Sequence, residues 1–333
     1  MRELIRKLVE TYGPAGYEGR VRELIQSEIE GLADEVRSDA LGNLIAIRHG
    51  SEEAQKLMLS AHMDEIGVIV SHVDEKGFCR FQPMGGVRRL NLSGGRVLFE
   101  NGTVGAISLE KLEDSSKVPP LEKFYIDVGA TSRDDCPVEV GDVACFLRPF
   151  EDGGERLIAK AFDDRIGCAV QIGVMRELKG KEIPHEVSFV FSVQEEVGLR
   201  GAQTSAYGLD PDLGVAVDVT STGDTPESAT MAVELGKGPA IKVKDRGMIT
   251  HPAVKELLVR TAEEHDIPYQ LEVLERGTTD ARVIQTTRAG VPTGCLSIPC
   301  RYVHSPSEIV DYSDVLNAVK LLTALLSSPI ELE

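Results

Sequence analysis

The sequence predicts one α/β domain whose chain is interrupted by a β-rich insertion. Helix and strand signals alternate over residues 1–66, and they do so again, with longer helices, over residues 159–333. Between them, residues 67–158 carry short β-like runs broken by Gly, Pro, Asp and Asn, with little helical periodicity. The length of 333 residues agrees with about two domains. We therefore expect a discontinuous α/β domain, 1–66 and 159–333, around a β-rich domain at 67–158.

The individual elements follow from apolar spacing. Residues 1–8 and 18–31 carry helical apolar stripes, and residues 44–47 and 56–60 are predicted as short buried strands. The insertion contains five β-like runs, at 67–71, 78–81, 97–99, 124–128 and 143–147. The last segment is predicted as helix 165–178, strand 187–193, strand 213–217, helix 252–265, strand 291–298 and helix 312–326.

Composition excludes several classes of function. The chain has 36 basic and 54 acidic residues, a net charge of −18, which repels phosphate backbones and anionic lipids. No apolar run approaches the roughly 18 residues of a spanning helix, and the charged start is unlike a signal peptide. The six cysteines form no CxxC pair and no zinc-finger cluster. We expect no nucleic-acid or membrane partner, reduced thiols and a cytoplasmic location.

Histidines and carboxylates gather where predicted strands end. The carboxyl ends of parallel strands in an open α/β sheet meet at one edge, where ligands bind. Two histidines directly follow an apolar strand or its short extension, and acids follow the other strands or precede the helix at 165–178. These residues are His62 and Asp64, Asp163 and Asp164, Glu195 and Glu196, Asp218, and His304.

Taken singly, each of these residues has an ordinary structural explanation, such as a helix cap or a solvated turn. Taken together, they predict a metal site, because burying several acids side by side costs several kcal/mol each unless cations compensate. A mixed imidazole and carboxylate set suits Zn²⁺, Co²⁺ or Mn²⁺ better than Ca²⁺ or Mg²⁺.

The number of ligands suggests two cations. Two histidines, one bridging Asp and two terminal carboxylates complete two sites, as in dinuclear hydrolases with a bridging hydroxide. Of the adjacent Glu195 and Glu196, one would bind metal and the other would take a proton from the attacking water. An extended backbone through His62 and Asp64 lets the Asp64 carboxylate accept the imidazole N–H. The predicted chemistry is hydrolysis.

At these positions the sequence resembles the M42 family of metallo-aminopeptidases, relatives of the tetrahedral aminopeptidases. Seven motifs occur in the family order and cover nearly the whole chain. They are YGPAGYE at 12–18, DALGNL at 39–44, AHMDEIG at 61–67, AFDDR at 161–165, QEEVG at 194–198, DVT at 218–220 and RYVHSP at 301–306.

The resemblance implies a role for each site residue. His62 and Asp218 correspond to ligands of one metal, Glu196 and His304 to ligands of the other, and Asp163 to the bridge, joined to Asp164 by a cis peptide bond. Since related sequences tolerate Asn at the second position of this pair, Asp163 is preferred over Asp164 as the bridge. Glu195 corresponds to the general base, and Asp64 to the carboxylate that orients His62.

The resemblance also implies fold, cofactors and partners. It implies a mixed-sheet, zinc-peptidase-type catalytic domain with an inserted barrel or PDZ-like dimerisation domain, which assembles through dimers into a dodecamer. It implies two divalent cations per subunit, Zn²⁺ or Co²⁺ in the first place and Mn²⁺ as an alternative, with short peptides as substrates. Thr279, Asp280 and Arg301 are candidate pocket residues. Thr278 stands where the family usually has glycine, so the specificity of the pocket is left open.

Three other functions compete with aminopeptidase activity. A deacylase or a carboxypeptidase would use the same scaffold and metal ligands. An inactive, metal-stabilised assembly module would have no need to keep Glu195. A glycosidase fits poorly, because neighbouring Glu195 and Glu196 cannot flank one glycosidic bond at the required separation of ~5 Å or more.

Overall fold

The computed structural model describes residues 1–51, 54–112, 114 and 116–332. In this part of the chain it contains an 11-stranded sheet with helices packed around it and a separate closed barrel. The helices are α1 Arg2–Glu10, α2 Gly19–Glu28, α3 Phe162–Glu177, α4 Arg200–Leu209, α5 Pro252–Glu264, α6 Ala281–Gln285 and α7 Tyr312–Ser327.

The strands divide between the two sheets. Those of the large sheet are β1 Glu35–Ser38, β2 Leu44–Arg48, β3 Lys56–His62, β10 Glu151–Asp152, β11 Arg156–Ala159, β12 Glu186–Ser192, β13 Leu213–Thr220, β14 Ala240–Lys244, β15 Gln270–Val273, β16 Thr293–Arg301 and β17 Glu308–Asp311. Those of the barrel are β4 Gly67–Val73, β5 Cys79–Met84, β6 Arg96–Phe99, β7 Val104–Leu109, β8 Phe124–Asp127 and β9 Val143–Phe146.

Four neighbouring parallel strands form the centre of the large sheet. The order is β1-β2-β12-β3-β13-β16-β17-β11-β10, and β12, β3, β13 and β16 run parallel to one another. The outer strands β2 and β17 pair antiparallel with this centre, so the sheet is mixed. The carboxyl ends of the four parallel strands therefore lie at one edge.

Alternate residues of the central strands pack into cores on opposite faces of the sheet. On β3, Leu57 and Leu59 belong to the main core, built with α1, α3 and α7, whereas Met58 belongs to a smaller core with α4 and α6. Because successive strand side chains point to opposite faces, strands buried on both sides are continuously apolar. The result is a sheet covered by helices on both faces, which confirms the predicted α/β class.

The barrel closes in the order β4-β5-β8-β7-β6-β9 and has a core of its own. Its strands run from Gly67 to Phe146, directly after β3 of the large sheet and before β10. This confirms the fold class as an α/β sheet with a separate β-rich barrel. The domain boundaries at 66/67 and 158/159 stay a prediction.

The structure differs from the sequence-based expectations in several elements. Helix α3 begins at Phe162, so Asp163 and Asp164 lie within its bounds and not before it. The elements that were not predicted include α4, α6, β1, β10, β11, β14, β15 and β17. Strand β13 continues to Thr220, so Asp218 lies within the strand and not after it, because Val219 and Thr220 keep pairing with β16. The sequence analysis also missed β7, whose Gly105 weakens the strand pattern. A Cβ atom at Gly105 would lie 2.4 Å from Ile126 Cγ2, so close packing with β8 requires the glycine.

No helix in the described ranges combines the length and apolar character needed to cross a membrane.

Candidate metal centre

The Asp163 carboxylate lies between the two candidate histidines. Its Oδ1 is 2.9 Å from His62 Nε2 and its Oδ2 is 3.2 Å from His304 Nε2. His304 Nε2 is also 3.1 Å from Glu196 Oε1. One carboxylate thus faces two imidazoles with separate oxygens, which is the arrangement that a bridging ligand requires.

Asp164 points into the protein instead. Its Oδ2 accepts the backbone N–H of His62 at 3.2 Å and its Oδ1 accepts that of Gly167 at 3.0 Å. The peptide bond between Asp163 and Asp164 is cis. Two sets of donor atoms lie within 4.8 Å of one another, His62 with Asp163 and Glu196, and His62 with Asp164 and Asp218.

The Asp64 carboxylate positions the backbone of Glu195 and Glu196 and the imidazole of His62. Its carboxylate oxygens accept the backbone N–H groups of Glu195 at 2.9 Å and Glu196 at 3.1 Å. The same carboxylate lies 3.4 Å from His62 Nδ1, and the Asp64 carbonyl oxygen lies 3.1 Å from that nitrogen. A single buried Asp therefore orients one candidate ligand and the pair of glutamates.

Glu308 is a buried residue of the centre that the sequence analysis missed. Its Oε1 accepts the His304 backbone N–H at 2.9 Å and its Oε2 accepts the Asp163 backbone N–H at 3.1 Å. It begins the antiparallel strand β17, so no rule about the ends of parallel strands selects it. Its position four residues after His304 is the signal that was available.

The cluster buries several carboxyl groups close together, and this shifts their pKa values. Burial, reinforced by neighbouring negative charges, raises the pKa of Asp164, Glu195, Glu196 and Asp218. Burial also opposes ionisation of Asp163, but its contacts with His304 and His62 outweigh that and lower its pKa.

The histidines show the converse effect. Burial favours neutral imidazole, but Asp163 and Glu196 outweigh it and raise the pKa of His304 to about 11. Asp163 and Asp64 likewise raise the pKa of His62. The cluster therefore provides a strongly favourable environment for positive charge.

The donor set fits divalent cations. Two imidazoles and several carboxylates are the ligands that Zn²⁺ and Co²⁺ accept. The buried Oε1 of Glu196 has no hydrogen bond within the described part of the chain, although His304 Nε2 is near. A bound cation would satisfy that oxygen and reduce the repulsion among the acids.

A cleft of about 1100 Å³ opens onto this cluster. The candidate residues that line it are Asp163, Glu195, Glu196, Asp218, Thr278, Thr279 and His304. Thr278 also donates to Asp245 Oδ1 at 3.2 Å, so its extra side chain is tied to a neighbouring loop. The cleft thus connects the acids with the protein surface.

Two candidate pocket residues lie elsewhere. Arg301 pairs with Asp224 through two hydrogen bonds of 3.0 and 2.7 Å, and it is not among the residues that line the cleft. Asp280 is buried, and its Oδ2 accepts the hydroxyls of Ser60 and Ser192 at 2.7 and 2.6 Å. Neither side chain is among those that line the cleft.

A mixed α/β sheet with imidazoles and carboxylates at its carboxyl edge, below an open cleft, defines a hydrolase of the metal-dependent type. The profile of a family described as M42 glutamyl aminopeptidase matches residues 42–321. The chain belongs to this M42 family, and it is an enzyme that hydrolyses peptide bonds.

Individual relatives agree with the family. The chain is 51% identical to a putative aminopeptidase of Acetivibrio thermocellus over 97% of each chain. Its fold matches the aminopeptidase of Desulfurococcus kamchatkensis with a TM-score of 0.94, at 42% identity over 98% of this chain and 94% of the other. It also matches the TET1 peptidase of Pyrococcus horikoshii, with a TM-score of 0.88 and 33% identity over 98% and 99%. That peptidase is described as assembling into a tetrahedron or a large octahedral shell.

Proposed function

We propose that the protein is a dinuclear aminopeptidase that removes N-terminal residues from short peptides. His62 and Asp218 would hold one cation, Glu196 and His304 the other, and Asp163 both. The observation that carries this proposal is the position of the Asp163 carboxylate, with one oxygen toward each histidine. Zn²⁺ or Co²⁺ are the cations that we expect first, with Mn²⁺ as an alternative.

The Glu195 side chain would carry the proton in this reaction. It lines the cleft, its Oε2 lies 3.9 Å from His62 Nε2, and burial raises its pKa well above the ordinary value, which makes the carboxylate a stronger proton acceptor. Bound cations supply Lewis-acid polarisation of the scissile carbonyl and acidify the attacking water. Glu195 would take that water's proton and deliver it to the departing amine.

Asp64 and Glu308 would fix this arrangement without touching substrate. Asp64 sets the backbone of Glu195 and Glu196, and Glu308 sets the backbone of Asp163 and His304. Asp64 also contacts the imidazole of His62, with its carboxylate 3.4 Å from Nδ1. Their role would be to keep the base and the ligands in register.

The test is a panel of aminoacyl-anilides assayed on chelated protein with Zn²⁺, Co²⁺ or Mn²⁺ restored. We expect turnover with at least one cation and one anilide. Glu195→Gln should bind the cations as the unchanged protein does and lose activity by a factor of about 10² to 10⁴. The exposed Glu23, on α2, offers a matched Glu→Gln control that should keep full activity.

Three results would overturn parts of the assignment. Near-normal turnover by Glu195→Gln would remove Glu195 as the base. No hydrolysis across the panel, with cations shown to be bound, would exclude aminopeptidase activity. A panel hydrolysed equally well by fully chelated protein would exclude a role for the cations.

We further propose that the barrel mediates dimerisation and that dimers assemble into a dodecamer. The likeness to the TET1 peptidase over nearly the whole chain supports this. Light scattering on the eluted protein should give twelve times the chain mass of 36.2 kDa.

A cytoplasmic location is proposed because all six cysteines are free thiols, the form that a reducing compartment maintains.

A further inference from the structure

A glycine pair from the barrel side of the chain reaches the candidate metal centre. Strand β5 ends at Met84, and Gly85 and Gly86 follow directly. Gly86 lines the same cleft as the candidate ligands. Glycine at these positions has a specific steric reason, which the neighbouring atoms show.

Gly86 lies against the His304 imidazole. A Cβ atom at Gly86 would be 2.2 Å from His304 Nδ1 and 2.4 Å from Cε1, closer than any real Cβ contact. The next nearest atom is Cγ of the same ring, at 3.4 Å. Gly86 does not have a left-handed φ, so the position demands space for the ring rather than backbone freedom.

Gly85 lies against the other ligand of the same proposed cation. A Cβ atom there would be 2.8 Å from Glu196 Oε2, 2.9 Å from Ile66 Cγ2 and 3.1 Å from Glu196 Cβ. Gly85 also has a φ of 78°, a conformation that L side chains rarely adopt. The two glycines thus touch the two side chains that are proposed to share one cation.

The contact bears on the less constrained side of His304. Its Nε2 lies near Asp163 and Glu196, whereas Nδ1 has no hydrogen bond to any residue that the structure describes. The ring edge that carries Nδ1 is the edge that rests on Gly86. His304 itself has a φ of 63°, so its backbone is held in an unusual turn conformation.

We propose that Gly85 and Gly86 are positioning residues of the metal centre, a seat that fixes the Glu196 and His304 side chains for one of the two cations. This rests on the ligand assignment under the proposed function. Its consequence is that the loop between barrel strands β5 and β6 helps to set the cation affinity of the α/β domain.

The test measures cation binding, not turnover. Gly86→Ala should weaken one of two Co²⁺ sites at least tenfold in equilibrium dialysis, because the methyl group displaces the His304 ring. The second site should change less than about twofold. Gly208→Ala is the matched control, since a Cβ atom there meets nothing within 4 Å, and it should leave both sites unchanged.

A double-mutant cycle shows whether Gly86→Ala acts through the His304 ring or by a general loss of stability. If Gly86→Ala acts only through the His304 ring, it should lower the melting temperature of the cation-free protein, and it should not do so on the His304→Ala background, where the obstructing ring is gone. That double variant also shows whether the chain folds with alanine at 86. Equal losses with and without the His304 ring, or unchanged binding by Gly86→Ala, would overturn the proposal. Failure of the unchanged protein to bind two cations would instead overturn the proposed dinuclear site.

Discussion

The carboxylate of Asp64 accepts the backbone N–H of Glu195 at 2.9 Å, so the proposed base is positioned by an acid that is itself fully buried. The other Asp64 oxygen accepts the N–H of Glu196. Asp64→Asn replaces one acceptor by an amide donor that faces an N–H group. We expect kcat/KM to fall about 10- to 100-fold, together with cation affinity.

Asp314 is the matched control for Asp64. It is also a buried Asp whose oxygens accept two backbone N–H groups, those of Gly236 and Gly238, each at 2.7 Å. Asp314→Asn should lower the melting temperature and leave cation affinity unchanged. If Asp64→Asn, like Asp314→Asn, lowered the melting temperature and left kcat/KM and cation affinity unchanged, the role of Asp64 would be structural only.

Removal of cations should destabilise the protein. The acids at the centre repel one another, and burial already raises the pKa of Glu195, Glu196 and Asp218. A cation that binds only the folded state adds about 2.7 kcal/mol at a concentration 100-fold above its Kd. Calorimetry should show a lower Tm after chelation, restored by Zn²⁺ or Co²⁺ but not by Mg²⁺. A Tm that is the same before and after chelation would contradict the presence of a cation site.

Glu18 should make stability depend on pH. Burial, with a smaller contribution from the Asp64 charge, raises its pKa to about 7 from an ordinary value of 4.5. The folded state therefore keeps a proton that the unfolded state releases between these pH values. The free energy of unfolding should fall as pH rises from 4.5 to 7, by about 3 kcal/mol relative to Glu18→Gln.

Denaturant titrations of both proteins across this pH range measure the Glu18 effect. The side chain accepts N–H groups of Gly16 and Gln194 at 2.6 and 3.1 Å, and glutamine retains an acceptor oxygen for them. The exposed Glu23→Gln variant supplies the baseline. A constant difference between unchanged protein and Glu18→Gln would show that Glu18 titrates normally.

A buried ion pair lies beside the end of β13, the strand that carries Asp218. Lys242 pairs with Glu272, and Thr220 donates its hydroxyl to Glu272 Oε1 at 2.7 Å. Lys242→Met leaves the buried Glu272 without its counter-charge and should cost about 3–5 kcal/mol of stability. The exposed Lys244→Met, on the same strand, should cost far less.

Double substitution checks the cause of the Lys242 effect. Lys242→Met combined with Glu272→Met removes both charges, so thermal unfolding should show recovery of part of the lost stability. No recovery would mean that the loss comes from packing at Lys242 rather than from an unpaired charge.

Patterns local in sequence explain which parts were predictable. Residues 187–193 and 291–298 are mostly apolar, contain only small polar residues and carry no charge, and such runs indicate strands buried on both faces. The rule that parallel strands end at one edge then brings His62, Glu195 and His304 together. The fold class and the candidate ligands can therefore be predicted from the sequence.

The rest depends on contacts between distant segments. Glu308 reaches the Asp163 backbone across 145 positions, a contact that its place four residues after His304 does not predict. Gly86 lies in the loop between barrel strands β5 and β6 and contacts His304, which follows β16 of the large sheet. From the sequence, a glycine in a loop predicts a turn rather than a packing contact. The pairing of Arg301 with Asp224 likewise required the fold to be known.

Hydrolysis of one peptide, with its N-terminus free or acetylated, tests the central claim most directly. Mass spectrometry of the cation-loaded protein's products should show successive loss of single N-terminal residues from the free peptide, and an unchanged acetylated peptide. Cleavage of both peptides at the same rate, removal of residues from the C-terminus, or removal of the acetyl group alone would contradict it.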